Sequence, residues 1–407
     1  MRRAVNVIFL VAVLAINFTL LRPSPVDILF VLALVLSVLS GQIVTRNVFI
    51  VLCLLLAWLG SLFASSIGLA GDPEVAFGLL KISYAVSIGV CASLVAVHWG
   101  APELARFVKV YILAAFVAAT LGIVGVALGI EDLLWDGRAK GYLDDPNMYA
   151  GFLLPALFGC MYMLSQRGRV VVYMPALIWI LVGLLASFSR AAIVSFAIWG
   201  GLYYLVLNRR NLLKAGFYAV AVVAVVALAA GLLAVSVEGL DAKIVDRLTI
   251  AKEYDLGHGG RYNRYALAWP IILDNPLGIG MFQLDRIPIF EEPIHNFLIS
   301  SFLNYGWLAG FAFILLIVFS VAVSLSNYRR TRNQLCIALF LSWLAILSCA
   351  FLHEAERWRF MWLFTGLIWG ISVRNLLVRP DEERTAGAPS PARARPVGAV
   401  PGRFAPA

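Results

Sequence analysis

The residues of this chain whose types and spacing could do chemistry are Arg190, Arg261, Arg264 and the pair His295-Asn296. Arginine stays charged at any working pH, and its planar guanidinium can grip a phosphate at two points. A histidine titrates near neutrality and can accept a proton. Arg261 and Arg264 stand in a polar island that runs from Gly260 to Pro270. It is followed by Asp274-Asn275-Pro276-Leu277-Gly278-Ile279-Gly280 and by His295-Asn296-Phe297-Leu298. Nothing in that island is needed to span a bilayer. Ionisable side chains beside hydrocarbon are costly, so the default explanation is a site that handles a charged ligand.

Each residue also has a plainer reading. The two arginines could simply bind lipid phosphates, and a lone interfacial histidine is often structural. His353, followed at once by Glu354, rivals His295 as the proton acceptor. His258 lies among glycines and His98 on the opposite face, so neither competes. Lys81 can snorkel to the headgroups as an auxiliary contact. The Asn275 to Gly280 turn reads as a change of chain direction, because its spacing matches no phosphate-binding glycine loop. No Asp-x-Asp or His/Cys cluster points to a metal, and no cofactor motif is present. The five cysteines, all within apolar stretches and without C-x-x-C spacing, read as small core residues.

The elements that must position these residues follow from composition. The 407 residues are 62% hydrophobic and only 14% charged, whereas soluble domains are roughly 25% charged. The chain is therefore read as an all-α polytopic membrane protein. Hydropathy predicts about twelve spans, at 4–22, 25–41, 47–70, 76–98, 104–130, 147–164, 170–187, 190–207, 215–236, 296–326, 335–353 and 360–378. Residues 1–378 form the membrane domain, with one long periplasmic loop at 237–294. Residues 379–407 read as a disordered cytoplasmic tail.

Charge supports this threading. With both termini cytoplasmic, the inner segments hold 19 Lys+Arg against four acids, and the outer segments hold 12 against 19. That is the asymmetry expected of short cytoplasmic loops. The net charge of +9 is thus an inner-face property, and no nucleic-acid partner is implied.

Topology then gathers Arg138, Arg190, Arg261, Arg264, His295 and the group His353, Glu354 and Arg357 on the outer side. Spans six, eight and ten begin there, after Asp145-Pro146-Asn147, Ser187-Phe188-Ser189-Arg190 and His295-Asn296, each a cap or turn signal. Helix N-termini beside arginines suit a phosphate-bearing ligand. Residues 261–273 should form an interfacial amphipathic helix, ended or kinked at Pro270. Arg261 and Arg264 would share one of its faces, and Tyr265 and Trp269 would rest at headgroup level.

Taken in order, Asp-Pro-Asn at 145–147, Ser-x-Ser-Arg at 187–190, the Gly-Arg to Gly-Ile-Gly run at 260–280 and His295-Asn296 with Gly306 following resemble the O-antigen ligase and polymerase superfamily of bacterial polysaccharide assembly. The resemblance covers about 140–310. It implies a metal-independent, inverting glycosyl transfer at the periplasmic face of the bacterial inner membrane. The implied donor is an undecaprenyl-diphosphate-linked glycan, and the acceptor is lipid A-core or a second lipid-linked glycan. Arg190 and Arg261 would hold the diphosphate, helped by Arg264 or Arg138, and His295 would deprotonate the acceptor hydroxyl. Asn296, His353 and Glu354 would be auxiliary. The outer loop is more compact than in some relatives, which leaves the acceptor open. A flippase or transporter is the alternative from another class, although such proteins place their polar residues near mid-membrane. Oligomeric state is not legible.

Overall fold

The computed structural model describes residues 1–18, 24–41, 44–166, 169–209, 216, 260–287, 290 and 294–377. Among them the chain is almost wholly helical. The elements are α1 Arg2–Leu14, α2 Pro25–Leu39, α3 Arg46–Ser66, α4 Pro73–Ala96, α5 Ala101–Leu128, α6 Pro146–Ser165, α7 Val170–Ala186, α8 Arg190–Asn208, α9 Arg261–Asp274, α10 Phe297–Tyr305, α11 Trp307–Thr331, α12 Gln334–Ala350, α13 Arg359–Gly370 and α14 Val373–Leu377. The strands β1 Leu134–Trp135 and β2 Arg138–Ala139 form a hairpin whose two turn residues, Asp136 and Gly137, have φ of 51° and 67°. An Asp-Gly pair is the residue choice that such a tight turn demands.

Six of these helices are long and apolar enough to cross a membrane, and three shorter apolar ones accompany them. The chain is a multi-pass α-helical membrane protein. The predicted span at 215–236 apart from residue 216, residues 237–259 of the predicted loop at 237–294, and the tail at 379–407 lie outside the described residues.

Several predicted spans differ in the structure. The first helix stops at Leu14, and the last is interrupted after Gly370. The largest difference is at 296–326. Gly306, at φ 88° and ψ 178°, splits that stretch into α10 and α11. Only glycine adopts this backbone region without strain. The two helices fold back on each other: the Phe297 and Phe313 rings lie 4.3 Å apart, and Phe302 packs edge-on to Phe311 at 5.2 Å. At about 1.5 Å per residue α10 rises only about 13 Å. It does not span.

Helices are joined where backbones approach closely or where polar groups pair across an interface, as expected in lipid. Gly89 and Gly366 bring α4 and α13 nearly into backbone contact, so a side chain at either would collide with the other helix. Among the described residues, tryptophan indoles donate to hydroxyls on other helices in five places, including Trp369 to Ser320 at 2.7 Å and Trp343 to Thr365 at 3.0 Å. An aromatic cluster of Trp58, Phe297, Tyr305 and Trp362 ties α3, α10 and α13 together. Four of the cysteines are buried as expected, and Cys53 is exposed on α3.

Candidate functional site

The polar island folds as a small unit of its own. Along α9, Arg264, Ala268 and Ile272 follow at helical spacing and are all buried, with Arg264 only 4% exposed. Ala268 and Ile272 pack with Leu284, Phe290, Ile294 and Leu303 into a second hydrophobic core. Arg264 is thus held on the inner face of α9. Arg261 occupies the helical position one turn earlier, and its side chain lies outside the described residues. The helix continues through Pro270 to Asp274 rather than ending there. The Tyr265 hydroxyl donates to the main-chain carbonyl of His295 at 2.8 Å. Trp269 remains half-exposed.

His295 sits between that anchor and the cap of α10. The Asn296 Oδ1 accepts the Ile299 N–H at 3.0 Å, and the Asn296 N–H reaches the Ile294 carbonyl. The main chain around the histidine is fixed from both sides. Asn296 therefore acts as a helix cap. Phe297, two residues further on, already packs against Trp58 in the middle of α3, and Tyr305 meets Ser61 nearer its end through a 2.6 Å bond. Since α10 climbs toward the end of α3 that bears Ser66, His295 marks the low end of a rising helix. Hydropathy alone puts it at the top of a descending one.

The Asn275 to Gly280 segment does more than redirect the chain. Ile279 and Gly280 donate their N–H groups to the carbonyls of Leu303 and Asn304, and Trp307 donates to Pro276, all at 2.9 Å. Met281 N–H reaches Ser66 at 3.0 Å. These bonds dock the loop onto the α10–α11 break and onto α3.

A second group converges from α6, α7 and the loop between α12 and α13. Asp145 caps α6 by accepting the N–H groups of Asn147 and Met148 at 2.7 and 3.0 Å. Burial pushes its carboxyl above the ordinary value, against the pull of those amides and of Arg138. Arg138, aimed by the β1–β2 turn, donates to the Ser187 carbonyl at 2.9 Å and to Asn147 Oδ1 at 3.1 Å. It staples the end of α7 to the start of α6. At Phe188 the chain takes a left-handed conformation, φ 50°, and Arg190 opens α8 directly after it. A π turn at Phe196–Gly200 follows within the same helix, a feature frequent at functional sites.

In the α12–α13 loop, Glu354 pairs with Arg357 at 3.2 Å. The His353 ring lies 6.1 Å from that of Trp358. The group that sequence reasoning missed is Glu356. It is 5% exposed, bonded to the Tyr305 hydroxyl, and has an Oε2 with no hydrogen-bond partner. Burial raises its carboxyl above the usual range, and the neighbouring Arg357 opposes the shift. Arg357 also feels Asp144, beside the Asp145 cap. Nearby, Arg359 pairs with Asp27 at 2.8 Å and lies over the Tyr84 ring. Asp27 had a legible signal, since Ser24-x-x-Asp27 forms a capping box at the start of α2. Glu356 had none beyond its charge.

The structure thus joins Arg138 with Asp145, Asn147 and Ser187, and His295 with Tyr265. The short helix α10 links the two groups, because it starts at His295-Asn296 and ends with Tyr305 against Glu356. Lys81 lies 4.3 Å over the Phe77 ring of its own helix.

Residues 175–315 of the chain match the family model described as O-antigen ligase. The matched segment contains Arg190, Arg261, Arg264 and His295, and the resemblance read from the motifs is borne out. No curated protein matches the chain.

Proposed function

We propose that this chain, a membrane protein of O-antigen ligase type, is a glycosyltransferase. It moves a glycan from undecaprenyl diphosphate to an acceptor hydroxyl, that of lipid A-core, at the periplasmic face of the inner membrane. The observation that carries this reading is the family match over the segment holding the arginines and His295. The built environment of His295, pinned by Tyr265 on one side and the Asn296 cap on the other, supports it.

In this reading Arg190 and Arg261 bind the diphosphate oxygens. Arg264, held in the α9 core, keeps the helix that carries Arg261 in register. The acceptor oxygen attacks the anomeric carbon from the face opposite the diphosphate, so configuration inverts. The anomeric carbon–oxygen bond breaks, and undecaprenyl diphosphate leaves with the electron pair, its charge balanced by the arginines. His295 takes the acceptor proton. The step needs no metal: the arginines supply the positive charge.

The test is purified protein incubated with an undecaprenyl-diphosphate-linked glycan and either lipid A-core or no added acceptor. Product on lipid A-core supports the ligase. Growth of lipid-linked chains without added acceptor identifies a polymerase with the same donor chemistry. Protein-dependent movement of the donor across a vesicle membrane without any bond formation would instead identify a transporter.

A further inference from the structure

At the end of α3 that bears Arg46, α3, α11 and the break between α13 and α14 line an open cavity of about 440 Å³. Its polar lining includes Thr45, Arg46, Asn47, Ser326, Arg330 and Ser372. We propose that this cavity is a binding site for the phosphate-bearing headgroup of an anionic glycerophospholipid.

Three features point to that chemistry. Two arginines from different helices, Arg46 opening α3 and Arg330 in the last turn of α11, line one cavity. Guanidinium groups of this kind pair with phosphate oxygens in two-point geometry. The first turn of α3, a 21-residue helix, faces the same space through Thr45, Arg46 and Asn47. Thr45 takes up the Val48 N–H, and the partial positive charge of the helix start favours an anion there. Hydroxyl and amide groups on three sides can accept from or donate to a glycerol moiety.

A lipid, rather than a free phosphate, is indicated by what adjoins the cavity. Ala322 and Ile371 form part of its wall. Above it, α3 and α11 pack side by side and leave Phe49, Leu56, Leu315 and Val318 exposed. The headgroup would sit in the polar end, with an acyl chain along that apolar surface. A basic cleft between membrane helices is the kind of place where anionic headgroups are recognised. The site is independent of the proposed glycan chemistry.

Full-length protein in detergent, titrated with phosphatidylglycerol or phosphatidylcholine and read by native mass spectrometry, tests this. Wild type should retain phosphatidylglycerol roughly ten- to thirtyfold better than phosphatidylcholine. Arg46→Gln/Arg330→Gln should bring the two lipids within about twofold. Arg329→Gln, also exposed on the same last turn but not lining the cavity, should keep the wild-type preference. Ser326→Trp, which fills the cavity and leaves both charges, should lose it, and this variant carries the test if the double variant does not fold. Absence of any preference in wild type, an equal loss in Arg329→Gln, or displacement of phosphatidylglycerol by millimolar inorganic phosphate would each overturn the proposal.

Discussion

Tyr265 donates its hydroxyl to the carbonyl of His295 at 2.8 Å, thirty residues away in sequence, and so ties the arginine-bearing helix α9 to the histidine that precedes α10. The donor-binding side and the proton-accepting side of the proposed reaction are therefore one mechanical unit. Tyr265→Phe removes this bond and keeps the ring. A neutral hydrogen bond contributes about 0.5–1.5 kcal/mol, so transfer should slow by roughly two- to twelvefold. Donor affinity should stay unchanged in a filter-binding measurement with labelled donor. A wild-type rate would show that the tie does not position His295.

Gly306 should be intolerant of any side chain. A Cβ there would stand 2.6 Å from both the Leu277 carbonyl carbon and the Pro276 oxygen, on a backbone with φ 88°. Gly306→Ala should cost about 1–3 kcal/mol for the backbone conformation alone, with a further penalty from the clash. The lowered melting temperature would be read in detergent by tryptophan fluorescence. An unchanged melt would mean that the α10–α11 break is not held as described.

Much of this was legible, and the failures have physical causes. The order of the apolar segments and the cap at Asp145 followed from hydropathy and local residue preference, as did the helix expected at 261–273 and found at Arg261–Asp274. The break at Gly306 was not readable, because Tyr305-Gly306-Trp307 leaves no trace in a hydropathy window. What enforces it is the backbone docking of Ile279 and Gly280 onto Leu303 and Asn304, a tertiary contact. For the same reason the direction of α10 was read backwards. Arg264 was visible as the partner of Arg261 on one helix face, but its burial goes with an α9 face whose Ala268 and Ile272 pack on Leu284, Phe290 and Ile294, residues outside the long helices. Glu356 was hidden because a single acid between Glu354 and Arg357 looks like any charged loop.

Arg138 and Arg190 should respond differently to substitution. Arg138 is committed to Ser187 and Asn147, so Arg138→Ala should lose about 1–3 kcal/mol of stability. Arg190→Ala and Arg261→Ala should leave the melt near wild type and lower transfer by about ten- to a hundredfold, with partial rescue by lysine. Melting curves and initial rates on the same preparations separate the two outcomes. If Arg190→Ala and Arg261→Ala are fully active, these arginines anchor lipid only.

Glu356 should give stability an unusual pH dependence. Its folded-state pKa is raised by burial, so the folded protein holds that proton more tightly than the unfolded chain. The associated stabilisation is complete below the ordinary glutamate value and is lost as pH rises through the folded one. Glu356→Gln mimics the protonated acid. It should melt above wild type at neutral pH, and the gap should close as pH falls toward the ordinary carboxylate range. A gap that widens on acidification would show that Arg357 holds the group ionised.

The central claim is that His295 takes the acceptor proton, and the most direct measurement is a single-turnover rate across pH. Purified wild type, His295→Ala and His353→Ala would be compared with an undecaprenyl-diphosphate-linked glycan donor. The account predicts that His295→Ala slows turnover by roughly 10²–10⁴-fold with little change in donor binding. The acidic limb of the wild-type profile, which reports imidazole protonation, should vanish in that variant. His353→Ala should be milder and keep the limb. Wild-type turnover in His295→Ala, or a dead His353→Ala beside an active His295→Ala, would contradict the account and move the role to His353.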